Sequence, residues 1–170
     1  MTTLRSRAAS LAVLVALSGC AGSPIPLRTL TGSSRGDLWT WPQSLDGKPT
    51  VLAFWNTDEM QCLRDIQPLK TLDAREGSME LVTVATGRDR AEIDQWIRDA
   101  RIGYLVLLDL EEDLARKLGV ETYPTYMLLN VKGEEIARET DVRLARNWFD
   151  RERWLKLAEG GSLPAGGDLD

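Results

Sequence analysis

The sequence predicts an α/β domain built on a central mixed β-sheet flanked by helices. Two observations lead there. Short apolar runs of strand length alternate with amphipathic stretches of helix length, and the alternation ends in a hairpin and a last helix. The chain has 170 residues, 43% of them hydrophobic, which is enough for one domain with a substantial core. No internal repeat is visible.

Taken in order, residues 38–41 read as a short edge strand stopped by Pro42, and Asp46-Gly47-Lys48-Pro49 as a turn. Residues 50–55 (TVLAFW) form a continuous apolar run after that turn. Such a run marks a strand buried on both faces. Residues 60–75 read as a helix. Leu63, Ile66, Leu69 and Leu72 are expected inward, Arg64, Asp65 and Lys70 outward, and Pro68 is expected to kink it. A second strand covers 80–86 (ELVTVAT), and a helix over 91–100 turns Ile93, Trp96 and Ile97 inward. Residues 104–108 are a third apolar run. Glu111, Glu112 and Asp113 open a short helix through Leu118, the acids standing where its dipole favours them, and Gly119 ends it. Residues 125–130 and 135–138 form a hairpin around Lys132-Gly133. A terminal helix over 144–158 carries Leu155, with Trp148 and Trp154 in the core. The Gly-rich 160–170 segment is expected to fray.

The N-terminus carries a separate message. Arg5 and Arg7 precede an apolar run over 8–17. At about ten residues it is half the length a spanning helix needs and suits the h-region of an export signal. It ends in Leu17-Ser18-Gly19-Cys20, which resembles a bacterial lipobox; the alternative is an ordinary secretory signal with a chance Cys. The lipobox implies that 1–19 is removed and that Cys20 becomes a thioether-linked, multiply acylated anchor. Ala21, rather than Asp, implies the outer rather than the inner membrane. Residues 20–37, rich in Pro, Gly and Ser, read as the lipidated Cys and a flexible tether. The domain is expected over 38–159.

Composition excludes much chemistry. There is no His, so a Ser-His-Asp triad, a Cys-His dyad and a His-ligated zinc or copper site are out. Two Cys cannot make a four-thiolate cluster. A net charge of −5 does not favour nucleic acid. No cofactor and no metal are expected.

Three segments together resemble the thioredoxin-like superfamily, and more narrowly its membrane-tethered thiol-disulfide proteins of the TlpA/ResA type. Val51-Leu52-Ala53-Phe54-Trp55-Asn56-Thr57 matches the strand and loop before that family's W-C-x-x-C site. Gly119-Val120-Glu121-Thr122-Tyr123-Pro124-Thr125-Tyr126 matches the segment ending in its cis-proline. The hairpin at Lys132-Gly133 and the following helix match the third. In this register Glu59 stands at the nucleophilic Cys, Cys62 at the resolving Cys, and Asp65 at an acid the family often has three residues later. Anchoring instead on Pro68, which lies six rather than five residues after Cys62, shifts the motif by one.

In the resembled chemistry one thiolate attacks a disulfide and the second resolves the product. Glu59 cannot attack sulfur, but its carboxylate suits the helix N-terminus and is expected to accept the N–H bonds there. Cys62, a turn further in, is expected to be shielded, with Asp58, Glu59 and Asp65 disfavouring its thiolate. It is either a relic, a single thiol working with an external one, or a soft-metal ligand with Met60. A peroxiredoxin reading fails because that family wants Thr where Glu59 stands. Asp58 and Glu59 as an acid/base pair is the alternative to a helix cap. Tyr123 and Pro124 are implied to bind an extended segment of a substrate protein by strand addition, or else Pro124 only shapes its turn. Trp55 joins them as substrate-binding. Trp39 and Trp41 either line that groove or pack. The expected function is a lipid-anchored, periplasm-facing module that binds an envelope protein and has lost the dithiol cycle. The alternative is a single-Cys oxidoreductase or redox sensor working through Cys62.

Overall fold

The computed structural model describes residues 23–31, 35–74, 79–150 and 152–160. Its strands are β1 (Ile25–Thr29), β2 (Leu38–Trp41), β3 (Thr50–Asn56), β4 (Glu80–Thr86), β5 (Leu105–Leu108), β6 (Thr125–Leu129) and β7 (Glu135–Glu139). Its helices are α1 (Met60–Asp73), α2 (Arg90–Asp99), α3 (Asp113–Lys117), α4 (Val142–Asp150) and α5 (Glu152–Ala158). Among the described residues the strands make one sheet in the order β2-β1-β5-β4-β3-β6-β7. β3, β4 and β5 are parallel, and the other pairings are antiparallel, so the sheet is mixed. None of the described helices is long and apolar enough to cross a membrane.

The apolar run of β3 is buried on both faces because it lies in the middle of this sheet. Val51, Ala53 and Trp55 face one core layer with Ile66, Leu69 and Leu72 of α1 and Ala145 and Trp148 of α4. Leu52 and Phe54 face the other, with Leu27, Trp39, Trp41 and Leu114. The side chain of Asp89 caps α2 by accepting from the Glu92 N–H at 2.9 Å.

Three expectations are corrected. The segment read as a tether contains β1, an inner strand between β2 and β5. Leu27 and Thr29 are buried while Pro26 and Arg28 are exposed, a period-two pattern hidden by the Pro, Gly and Ser around it. The inward face of α1 is Cys62, Asp65, Ile66, Leu69 and Leu72, and Leu63 is 45% exposed. At 3.6 residues per turn, steps of three rotate by about −60° each, so Leu63 and Leu72 cannot share a face. The terminal helix is two helices, α4 and α5, with Trp148 buried and Trp154 only partly so, packed edge-on at 6.4 Å. Trp39 and Trp41 take the packing alternative, as core residues of the second layer. The expected export signal, Cys20 and the segment 161–170 lie outside the described residues.

Candidate active site

β3 delivers the chain to the carboxyl edge of the sheet, and a tight turn sends it into α1. Asn56 organises the turn. Its Oδ1 accepts from the Asp58 N–H at 2.8 Å, and its backbone carbonyl accepts from Glu59 N–H at 3.3 Å. Glu59 is the N-cap residue, extended at φ −101° and ψ 111°, and exposed. Its carboxylate makes no capping bond, contrary to expectation, and the Cys62 N–H donates to the Glu59 backbone carbonyl at 3.0 Å. Asp58 pairs with Arg88 of the β4–α2 loop at 3.3 Å.

Cys62 is the third residue of α1 and points into the core, 3% exposed. The Asn56 N–H donates to its Sγ at 3.5 Å. Burial pushes its thiol up to about 11; the Asn56 N–H opposes this, and the charges of Asp65 and Glu59 add to it. Met60, on the same helix, is 63% exposed, so the two sulfurs face different surroundings and do not converge on a metal.

Below Cys62 lies the acid that the sequence places outward. Asp65 is 3% exposed. Tyr126 OH donates to its Oδ2 at 2.5 Å and Gln61 Nε2 to its Oδ1 at 2.7 Å. Burial and this bond push the Tyr126 hydroxyl far above its ordinary range. Asp65 lines a 560 Å³ groove together with Gln61, Pro68, Asp141 and Arg143.

The second arm of the site comes from β6. Phe54 of β3 pairs with Thr125, so Pro124 is set beside the end of β3 and the turn into α1. The Tyr123–Pro124 peptide bond is cis, and Thr125 Oγ1 donates to the Thr122 carbonyl at 2.7 Å. Tyr123 is half-buried, and its OH donates to Glu112 Oε1 at 3.1 Å. Burial pushes that hydroxyl up to about 12 against a hydrogen bond with Thr86. Thr86 also accepts from Asn56 Nδ2 at 3.1 Å. A polar string thus links the end of β3, the end of β4, Tyr123 and the start of α3.

Trp55 is not part of an open groove. It is 4% exposed, its indole stacks on Trp96 at 5.9 Å, and Nε1 donates to Thr83 Oγ1 at 3.3 Å. A strand that is buried on both faces leaves no exposed side for it. The residues that sequence reasoning passed over are Asn56, Thr86, Glu112 and the pair Thr57–Gly87. A Thr-Gly end to an apolar strand was the available signal for Gly87. A Cβ there would stand 2.7 Å from Thr57 Oγ1 and 3.6 Å from Ile93, and that hydroxyl is buried without a protein hydrogen-bond partner among the described residues. Gly87→Ala is therefore expected to lower stability by about 1–3 kcal/mol, and Thr57→Ala to recover part of that loss. Urea unfolding of the two single variants and the double variant checks this; additive effects would contradict the contact.

The family model described as Redoxin matches residues 20–150. The chain belongs to the Redoxin family. A curated relative, the sporulation thiol-disulfide oxidoreductase A of Bacillus subtilis, is 28% identical over 93 residues, covering 52% of this chain and 56% of that protein. The chain thus aligns with little more than half the length of that relative. Two solved structures share the thioredoxin-like fold. An exposed lipoprotein thioredoxin of Streptococcus pneumoniae has a TM-score of 0.64 at 17% identity, with 75% of this chain and 98% of that one covered. StoA of Bacillus subtilis has a TM-score of 0.59 at 22% identity, with 74% and 96% covered. In this Redoxin chain, Glu59 is exposed at the start of α1 and Cys62 is buried.

Proposed function

We propose that this Redoxin-family chain is a lipid-anchored envelope module that binds an extended segment of another protein near Glu59 and Tyr123-Pro124, without the dithiol cycle. One observation carries the reading: the helix N-cap, where an attacking thiol must be exposed, holds Glu59, while Cys62 is 3% exposed. A thiol held near 11 is almost wholly protonated at pH 8 and is a poor nucleophile. The kinship with thiol-disulfide oxidoreductases supports descent from a redox protein. The lipobox-like Leu17-Ser18-Gly19-Cys20 supports an anchor at Cys20, and Ala21 an outer-membrane destination. An exposed lipoprotein among the structural relatives is consistent with the anchor.

The test is an insulin-reduction assay on the soluble domain with Cys62→Ser as the control, alongside alkylation of Cys62. The wild type is expected to show no Cys62-dependent turnover. Its thiol should react about two orders of magnitude more slowly than free cysteine at pH 8, and faster as pH rises towards 11. Cys62-dependent turnover with an external thiol would replace this reading with the single-Cys oxidoreductase.

A further inference from the structure

We propose that the membrane anchor and the peptide site share one edge of the sheet. The site then faces the bilayer. This rests on the reading of Cys20 as lipidated.

The topology carries it. The parallel strands β3, β4 and β5 all end on one edge, at Asn56, Thr86 and Leu108, and Glu59, Cys62, Tyr123 and Pro124 are gathered there. β1 runs antiparallel to β5 with Arg28 opposite Leu108. Stepping back to Ile25 therefore passes about 10 Å beyond the end of β5, on that same edge. Ile25, Pro26 and Leu27 line a pocket with Asp109, Leu110 and Glu111, the loop that leads into α3. The chain is held there once more, because Lys117 Nζ of α3 donates to the Ser23 carbonyl at 3.0 Å.

Cys20 lies three residues before Ser23, a reach of at most about 11 Å. The seven residues of β3 span roughly 20 Å, so such an anchor cannot reach the far edge, where Asp46 and the Lys132-Gly133 turn stand. The long tether expected from composition would have let the domain tumble; its absorption into β1 removes that freedom. The exposed side chains on that edge include Glu59, Glu111 and Glu121, with Asp58 paired to Arg88.

The experiment uses the full chain, lipidated in a bacterial host, in a Cys62→Ser background. A single fluorophore is placed at Glu111→Cys or at Lys132→Cys, both exposed positions. The protein is put into vesicles of phosphatidylethanolamine and phosphatidylglycerol carrying a headgroup nitroxide quencher. Quenching is expected to be severalfold stronger at the Glu111 position. Inserting a Gly/Ser stretch of about twenty residues between Cys20 and Ser23, with an end-to-end distance of about 25 Å, should erase the difference. A chain that floats with vesicles but is quenched equally or more at the Lys132 position overturns the orientation and leaves the anchor standing. Quenching at the Glu111 position that survives the insertion overturns the short tether as its cause. A chain that does not float overturns the anchor, and the orientation with it.

Discussion

Glu59→Cys is expected to convert the domain into a dithiol protein whose new thiol pairs with Cys62. Residues 59 and 62 already close a hydrogen-bonded turn at 3.0 Å. Such a turn holds its end Cα atoms within about 7 Å, inside the reach of a disulfide. The new sulfur would stand exposed at the N-cap of a 14-residue helix, where the dipole favours a thiolate and lowers its pKa. The substitution also removes one of the two carboxylates that hold the Cys62 thiol up. Mild oxidation should therefore consume both thiols within one chain, seen as loss of maleimide labelling after denaturation without dimer on a gel. Insulin reduction absent from the wild type should appear. A Cys62 that remains free under oxidant would show that the motif is shifted by one residue, as an alignment on Pro68 implies.

Asp65→Ala is expected to be the most destabilising single change at the site. It strips the acceptor from Tyr126 OH, bonded at 2.5 Å on a side chain that is 1% exposed. A buried hydroxyl left unpaired, together with a lost charged hydrogen bond, costs about 2–4 kcal/mol. Tm should fall by about 10 °C for a domain of this size. Asp65→Asn keeps an acceptor and removes only the charge, so its loss of stability should be smaller. Both variants should lower the pKa of Cys62 below about 11, because the Asp65 charge is one of the things that raises it. The pH profile of Cys62 alkylation should therefore move to lower pH, opposite to any change that buries the thiol more deeply. An unmoved profile in Asp65→Asn would mean that burial alone holds the thiol protonated.

The strands of the sheet's centre were legible because their signal is local. TVLAFW and ELVTVAT are mostly apolar and rich in β-branched residues, the pattern of a strand with neighbours on both sides and helices on both faces. The hairpin at Lys132-Gly133, with Gly133 at φ 77°, was legible for the same reason. The inward face of α1 was misread because four apolar residues at intervals of three look like a stripe, although the helix period scatters them. β1 was missed because five residues of alternating pattern sit inside a Pro- and Gly-rich stretch. What makes it a strand is β5, whose Leu108 lies 80 positions from Arg28.

The sequence by itself determined the α/β order, the Glu59 and Cys62 positions relative to Trp55, and the lack of any His to assist a thiol. It also placed Tyr123-Pro124 at the start of β6. All of these follow from residue type and short-range spacing. Only the tertiary structure decided that Cys62 is sealed in, that Asp65 faces Tyr126 and not solvent, and that Trp55 is core. It also decided that the N-terminal segment returns to the site's edge. The last three depend on groups 28 to 80 positions apart in the chain. Burial and hydrogen bonding between such groups are properties of packing, and no local pattern encodes which distant side chain will arrive.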